Sequence, residues 1–515
     1  MTKKRKLKRK LSFHPVVLFI ILILVTMIFS GILSLFNFSY SYKGMNALGT
    51  EYLITTESVN SMLNIEGLKY IFSNTVSNFA NFTVLVHLII ILIGIGIMDY
   101  TGFLKTAVGL LTKKAKKFHV TYVIVLLCLL ASIMDNLPFL AFIPLSALVF
   151  KYGKRNPLIG VIASFASLTC GYGISLFLTS IDSSLAKISS ASASILGVHS
   201  SFGSCSMILI MLVAILILSY AITYLTENYI VRKIPKYEFE ETEILSDEPL
   251  NKHQLKGLVL SGIGCLTYLI IFLYNIIPGL PLSGKLLNSS AGLYIDKLFG
   301  NNTFFTNGFV FIITMLFIIA GLLYGIGAKT IKNNEEFVES LGYSLNNIGN
   351  VLVLIFICST FISIFKQTNI GNVITAGLTN LISELNFSGL PLVILTFICS
   401  AVATLFVPSP LLKWNIMGSQ IVASFVNVGL SAEFAQVVFR FGESAFLCLT
   451  PVFAYYIIYL AYLEKYNQTG KATKIVTSLR YMVPYAILTF FILLSILVIW
   501  YLISLPLGIG GFVAV

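Results

Sequence analysis

Long apolar runs alternate with short polar segments along most of this chain. About 20 consecutive apolar residues cross a bilayer as one α-helix, because a helix satisfies its backbone hydrogen bonds internally. Three apolar regions, 119–180, 388–428 and 431–463, are interrupted by polar residues or helix breakers. The pattern as a whole predicts an all-α polytopic membrane protein. Uninterrupted runs predict transmembrane helices at 16–38, 80–99, 205–226, 257–278, 307–327, 345–365 and 482–504.

Basic residues constrain the first interrupted region. Lysines cluster just before residue 119, and Lys151, Lys154 and Arg155 follow residue 150. Basic loops remain on the cytoplasmic side of a membrane, so both ends of segment 119–150 belong on that side. Its polar, proline-bearing centre at 135–138 predicts the tip of a re-entrant hairpin. Two full crossings would satisfy the same sidedness, and this alternative stays open.

The second interrupted region, 388–428, repeats the pattern. Its centre contains Pro408-Ser409-Pro410, and two prolines spaced by one residue break a helix because proline lacks an amide donor. We interpret this segment as a second hairpin that enters from the outside.

A predicted broken helix follows each hairpin. Residues 157–180 cross once and are interrupted at Gly171-Tyr172-Gly173, while residues 431–463 cross once and are interrupted at Gly442. Hairpin and broken helix thus occur twice, once from each side, which is typical of an inverted-repeat transporter with its site at the midplane.

The predicted topology has about nine transmembrane helices and two re-entrant hairpins. The N-terminus is cytoplasmic and the C-terminus external, in the cell membrane. In order, the segments are a basic cytoplasmic N-terminus (1–15), a first half (16–227), a cytoplasmic loop (228–256), a second half (257–504) and an external tail (505–515).

Composition and charge fit this assignment. Of the 515 residues, 57% are hydrophobic and 11% are charged, against about 25% charged residues in soluble domains. The net charge of +13 follows from basic residues in predicted cytoplasmic loops, which indicates a bilayer rather than a nucleic acid as partner. No Walker motif, catalytic dyad or cysteine cluster with metal-ligand spacing appears. We therefore expect no enzyme activity and no bound cofactor, and transport driven by a proton or sodium gradient.

Arg440 and Glu443 are the most informative residues, because ionised groups at membrane depth cost at least about 2.5–3.5 kcal/mol each. They are three positions apart and share a helix face. We expect Gly442 to let the helix unwind between them and expose backbone groups to a ligand. Arg440 then binds an anionic substrate group, and Glu443 carries a proton or binds a cation. The alternative is a buried salt bridge that only holds helices together.

The hairpin tips offer further polar groups. Asp135 provides a candidate proton or cation site, and Asn136 a candidate substrate contact, although both residue types also favour helix caps. A sodium ion near Asp135 and Ser409 is one possibility, and Ser409 is also a candidate substrate contact. Lys413 can pair with a substrate carboxylate or with Glu443.

Two more positions carry alternatives. Trp414 is able to stack on an aromatic ring, or it packs as an ordinary core or interfacial residue. Asp182 is a secondary candidate, because it either caps a helix or lines an external vestibule.

The motifs around these residues resemble the AbgT family of p-aminobenzoyl-glutamate transporters. LFVPSPLLKW (405–414) and GLSAEFAQVVFRFGESAFLCLTPVFAYY (429–456) carry most of the similarity. The resemblance spans about 65–465 and supports substrate-site roles for Gly171, Lys413, Trp414, Arg440, Gly442 and Pro451. Departures lie at the predicted site. Glu443 replaces a family aspartate, and Ser175, a further candidate substrate contact, replaces an asparagine. Either Asp135 or Asn136 fills the family's acidic tip position.

The resemblance implies a homodimer with nine transmembrane helices and two hairpins. It also implies ion-coupled transport of p-aminobenzoyl-glutamate or related antimetabolites. The departures leave an alternative open, in which the chain transports a dicarboxylate or another organic anion.

Overall fold

The computed structural model describes residues 14–46, 49–200, 202–239, 250–289, 294–299, 303–346, 348–470 and 472–515. Two of the sequence expectations extend beyond this range. Most of the basic N-terminus and part of the loop 228–256 lie outside the described residues.

The described chain is almost entirely helical, as the apolar runs predict, with one antiparallel pair of strands. The strands are β1 (Ser39–Met45) and β2 (Tyr52–Ser58). The α-helices of the first half are α1 (Pro15–Leu35), α2 (Ile65–Ala80), α3 (Thr83–Tyr100), α4 (Phe103–Thr112), α5 (Lys117–Leu130), α6 (Pro138–Tyr152), α7 (Pro157–Cys170), α8 (Ser180–Ile195) and α9 (Ile208–Leu225). Those of the second half are α10 (Lys252–Ile276), α11 (Tyr294–Phe299), α12 (Phe304–Ala328), α13 (Asn334–Gly342), α14 (Gly349–Gln367), α15 (Ile370–Leu385), α16 (Leu390–Phe406), α17 (Pro410–Asn427), α18 (Ala432–Phe446), α19 (Tyr456–Lys465) and α20 (Ile475–Ile503).

Eight helical segments in the described part of the chain are long and apolar enough to cross a membrane. Seven of them coincide with the seven uninterrupted apolar runs, so the prediction of a polytopic helical membrane protein is confirmed. The eighth, Lys117–Met134, overlaps the first part of the predicted hairpin 119–150. Helix α10 shows the surface expected toward lipid, since apolar side chains such as Leu266 and Ile270 are exposed. The eight segments are Pro15–Leu35, Ile65–Tyr100, Lys117–Met134, Ile208–Ile230, Lys252–Ile276, Asn307–Ala328, Gly349–Gln367 and Ile475–Ile503.

Helices break at both predicted hairpin tips. After α5, a short 3-10 turn leads to Asp135, which has a positive φ of 53° and ends the helix. Pro138 then starts α6. In the second half, α16 ends at Phe406 and Pro410 starts α17. Proline is well suited to the first turn of a helix, where its missing amide donor costs nothing.

The first broken helix is interrupted over a longer stretch than predicted. Helix α7 ends at Cys170, and residues 171–179 are not helical. Helix α8 begins at Ser180 and continues to Ile195, beyond the predicted end of the segment at residue 180. A reciprocal capping box between Thr179 and Asp182 fixes this start.

The predicted unwinding at Gly442 is wrong. Helix α18 runs without a break through Arg440, Gly442 and Glu443, and the interruption lies after Phe446, in a 3-10 turn and loop before α19. Gly442 instead allows α16 to approach closely. A Cβ atom at Gly442 would lie 2.6 Å from the Phe397 carbonyl oxygen. Small residues serve this purpose at helix contacts in membranes.

The strand pair is a feature that the apolar pattern did not predict. Its register pairs Ser39 with Ser58 and Met45 with Tyr52. It lies beside α15 and α17, and the Asn380 side-chain amide donates to the Ser41 carbonyl at 2.7 Å. The pair therefore covers the second hairpin region from one side.

Candidate functional site

Four buried charged side chains form one connected network, which we call the ion-pair network: Asp182, Arg440, Glu443 and Lys413. Arg440 Nε lies 2.8 Å from Asp182 Oδ1, and Arg440 Nη1 lies 2.5 Å from Glu443 Oε2. The other Glu443 oxygen, Oε1, lies 2.6 Å from Lys413 Nζ. Both cations and Glu443 are at most 1% exposed. Two positive and two negative groups alternate along the network, which balances their charges away from water.

The network joins the two halves of the chain. Asp182 lies in the first turn of α8, in the first half. Arg440 and Glu443 lie on consecutive turns of α18, and Lys413 lies in the first turn of α17, in the second half. Helix α8 packs against both α17 and α18. Movement between these helices therefore requires ion pairs to rearrange.

Hydrogen bonds fix the cations further. Arg440 Nη2 donates to the Tyr172 carbonyl oxygen at 2.9 Å, and Lys413 Nζ donates to Thr404 Oγ1 at 2.5 Å. The chain interruption at 171–173 also contacts α18 directly. A Cβ atom at Gly173 would lie 2.2 Å from the Arg440 carbonyl oxygen, and Gly173 N donates to Ser444 Oγ at 2.8 Å. Only glycine fits this contact.

Trp414 is fully buried beside the network. Its indole Nε1 donates to Ser189 Oγ at 3.0 Å, and its ring centroid lies 4.4 Å from that of Phe439. Ser189 Oγ in turn donates to Gln436 Oε1, and Gln436 Nε2 donates to the Asp182 carbonyl oxygen at 3.0 Å. The indole thus packs as a core residue in this conformation, and its stacking on a substrate ring stays a prediction.

Several oxygens near the first tip lack a hydrogen-bond partner among the described residues. They are buried atoms of Ser132, Asp135, Asn136 and Ser175. The Ser180 hydroxyl donates to the other Asp135 oxygen, Oδ2, at 3.1 Å and brings the first broken helix to this tip. Carboxylate, amide and hydroxyl oxygens suit a sodium ion or a proton. Within the described chain, no group of three or more His, Cys, Asp or Glu residues is arranged to hold a metal.

A cavity of about 620 Å³, which we call the four-break cavity, lies where all four helix interruptions meet. Two predicted site residues line it, Asn136 at the first tip and Ser409 at the second. Tyr172 lines it from the first broken helix, and residues 452–455 line it from the second. The end of α14, the start of α15 and the junction of α2 and α3 (81–83) also line it.

The predicted site residues therefore fall into groups. Those that line the four-break cavity are Asn136 and Ser409; those in or against the ion-pair network are Lys413, Trp414, Arg440, Gly442 and Glu443; those at the interruptions are Asp135, Gly171, Ser175 and Pro451.

Tyr172 separates the cavity from the network. Its side chain lines the cavity, while the Arg440 guanidinium carbon lies 5.4 Å from its ring centroid. Its carbonyl oxygen also accepts the Arg440 hydrogen bond. Tyr172 thus contacts the cavity with its side chain and Arg440 with both its ring and its backbone.

Sequence reasoning underestimated two members of the site and missed one. Asp182 was only a secondary candidate, because its capping spacing after Thr179 explained it without a ligand. Tyr172 was noted only as part of a glycine-flanked break, although an aromatic residue between two glycines is itself a signal. Nothing in the sequence singles out Ser189, since it is one of several serines on α8.

These features define a multi-pass membrane protein with a buried charged site at interrupted helices. The model of the AbgT putative transporter family matches residues 8–515, so the chain belongs to this family. The resemblance drawn from the motifs is confirmed, and the protein is a transporter rather than an enzyme.

Individual relatives are distant. The p-aminobenzoyl-glutamate transport protein of Escherichia coli (strain K12) is 25% identical over 501 residues, which cover 96% of this chain and 94% of that protein. The crystal structure of the Alcanivorax borkumensis YdaH transporter matches at 21% identity with a TM-score of 0.48, covering 96% of this chain and 100% of the other. Neisseria gonorrhoeae MtrF, described as illuminating a class of antimetabolite efflux pumps, matches at 25% identity with a TM-score of 0.47, covering 98% of both chains.

Proposed function

We propose that this protein is a secondary active transporter of p-aminobenzoyl-glutamate-like compounds or related antimetabolites, coupled to a proton or sodium gradient. Family membership and the E. coli relative support the substrate class. The observation that carries the mechanism is the buried ion-pair network, because it places two cations where helices from both halves meet. Charged groups inside membrane segments mark substrate and ion pathways.

Substrate binding is an exchange of anions in this mechanism. A substrate carboxylate replaces Asp182 or Glu443 as the partner of Arg440 or Lys413. Arginine suits this role because its planar fork binds a carboxylate through two hydrogen bonds. The exchange keeps the charges balanced only if the displaced carboxylate finds another partner or takes up a proton.

Glu443 is the proposed coupling residue, since it touches both cations of the network. With Glu443 ionised, the network is neutral. With Glu443 protonated, the network carries one net positive charge and favours an anionic substrate. Proton uptake and anion binding are then linked one to one. The unpartnered oxygens around Asp135 supply the alternative site, where a sodium ion takes the place of the proton.

The membrane topology is part of the proposal. We propose nine crossings and two re-entrant hairpins, in inverted repeats, with a cytoplasmic N-terminus and a homodimeric assembly in the cell membrane. Basic residues around 105–117 and 151–155 support the cytoplasmic base of the first hairpin. The helix breaks at 135–137 and 407–409 support the two tips.

A dicarboxylate or another organic anion is the second candidate substrate. Glu443 bridges Arg440 and Lys413, so its displacement would free two cations that two carboxylates of one substrate can bind together, whether or not that substrate carries an aromatic ring.

Uptake into proteoliposomes tests both candidates. The purified protein is reconstituted and supplied with labelled p-aminobenzoyl-glutamate or labelled dicarboxylates, with an imposed pH gradient, a sodium gradient or neither. Gradient-dependent accumulation of the first compound is expected, together with its loss in Arg440→Ala. Arg480→Ala is the matched control, because Arg480 is exposed on α20. Unchanged transport by Arg440→Ala would contradict the mechanism, and accumulation of dicarboxylates alone would favour the second substrate class.

A further inference from the structure

We propose that the four-break cavity is a separate entry subsite for an aromatic carboxylate, in which Lys366 binds the carboxylate and the aromatic wall formed by Tyr172, Phe453 and Tyr455 packs against the ring. The inference rests on the proposed function and assigns to Lys366 a role that the ion-pair network does not cover.

The charged and polar groups that line the cavity favour an anion. Lys366 lies in the last turn of α14 and is exposed, and it lines the cavity together with neutral polar residues such as Asn136, Asn372 and Ser409. Among the described residues, no Asp or Glu side chain lines this cavity, and no ion pair to Lys366 occurs. A cavity with one cation and several amides and hydroxyls attracts an anion.

One acidic group close to the cavity, Glu57, is hydrogen-bonded to a residue of the cavity lining. Asn369, which also lines the cavity, donates its side-chain amide to Glu57 Oε2 at 2.6 Å and to the Ser58 carbonyl at 3.0 Å. Asn372 donates to Asn369 Oδ1 at 2.8 Å. These bonds hold Glu57 at the edge of β2, outside the cavity lining and without an ion pair to Lys366 among the described residues.

The aromatic wall offers a surface for the ring of the ligand. Phe453 lies 5.9 Å from Tyr172 and 5.4 Å from Tyr455, measured between ring centroids. Phe139 lies behind them, 5.1 Å from Phe453 and 5.3 Å from Tyr455. Two of these pairs are edge-to-face and two are tilted, and together the rings form an apolar surface. A ligand ring that lies on this surface keeps its carboxylate free to reach a cation.

The position of Tyr172 gives the order of events. The substrate first occupies the cavity through Lys366 and the aromatic wall. It reaches Arg440 only after Tyr172 moves, because Tyr172 contacts both compartments. The two cations therefore act in sequence, Lys366 in capture and Arg440 in translocation.

Transport kinetics in proteoliposomes test this order. Lys366→Gln should raise the KM for p-aminobenzoyl-glutamate about five-fold at low salt, the factor expected for a partly exposed charge pair worth about 1 kcal/mol. It should leave kcat near the wild-type value, and the KM difference should shrink at high salt. Lys366→Arg should restore a low KM. Lys69→Gln is the matched control, since Lys69 is exposed on α2 and does not line the cavity.

Competition assays with a variant that lacks one ring test the aromatic wall. Phe453→Leu retains apolar bulk but removes a ring, so it should weaken competition by p-aminobenzoyl-glutamate and leave competition by N-acetyl-glutamate, which lacks the ring, unchanged. A wild-type protein that transports no labelled substrate would contradict the proposed function. A wild-type protein that transports normally while Lys366→Gln keeps its KM, or while Phe453→Leu affects both competitors equally, would overturn the subsite.

Discussion

Lys413 and Glu443 provide the sharpest quantitative prediction. Each Glu443 oxygen has its own cation, Lys413 at 2.6 Å and Arg440 at 2.5 Å. Lys413→Met removes one cation and keeps the length of the side chain. Glu443 Oε1 then loses its ion-pair partner, and the network carries one net negative charge. Removing one partner of a buried pair costs about 3–5 kcal/mol, so we expect a loss of about 3 kcal/mol in the free energy of unfolding.

The double variant Lys413→Met/Glu443→Gln should lose less free energy of unfolding than the two single variants lose together. Glu443→Gln alone leaves one uncompensated positive charge and should also cost about 3 kcal/mol. In the double variant, Arg440 and Asp182 remain as a balanced pair. Contacting charges show coupling energies of about 0.5–3 kcal/mol, and the shared carboxylate predicts a value near 2 kcal/mol here.

Equilibrium unfolding of the purified protein in detergent, followed for the wild type, both single variants and the double variant, measures this coupling. Glu384→Gln is the matched control, because Glu384 is exposed on α15. Additive losses, within about 0.5 kcal/mol, would refute the ion pair between Lys413 and Glu443.

Further predictions concern the same region. Arg440→Lys keeps the charge but cannot contact Asp182, Glu443 and the Tyr172 carbonyl together, so the rate of vesicle uptake should fall at least about tenfold while the yield of folded protein stays normal. Gly173→Ala would place a methyl group 2.2 Å from the Arg440 carbonyl oxygen and should lower the unfolding temperature, whereas Gly262→Ala, which meets no atom within 4 Å on helix α10, should leave it unchanged or raise it. Asp135→Asn should abolish any dependence of uptake on sodium and leave substrate binding, measured by isothermal calorimetry, in place; a sodium response that survives this change would exclude Asp135 as a ligand.

The helical membrane fold was predictable because its determinants are local. A 20-residue apolar run specifies a crossing helix whatever its neighbours are, and prolines at 138, 408 and 410 mark helix starts and breaks directly. Lys413, Arg440 and Glu443 were also identifiable as candidates, since an ionised group within an apolar run is costly and stands out.

The rest depended on tertiary contacts that the pattern does not encode. Gly442 was expected to unwind a helix, but glycine also permits close helix packing, and only the position of Phe397 distinguishes the two. Asp182 looked like a cap because capping and ion pairing need the same carboxylate. The strand pair was missed because β1 and β2 are short polar segments between two much stronger apolar signals.

The two roles of Asp182, as helix cap and as ion-pair partner, have a mechanical consequence. Asp182 Oδ2 accepts hydrogen bonds from Thr179 N and Oγ1 at the start of α8, while Oδ1 holds Arg440. Asp182 thus connects the start of α8 in the first half to Arg440 in the second half. In the proposed mechanism, a substrate carboxylate that binds Arg440 displaces only Asp182 Oδ1, and Asp182 Oδ2 still caps α8. In that mechanism, substrate binding at Arg440 changes the forces on α8 and, through the packing of the two helices, on α17.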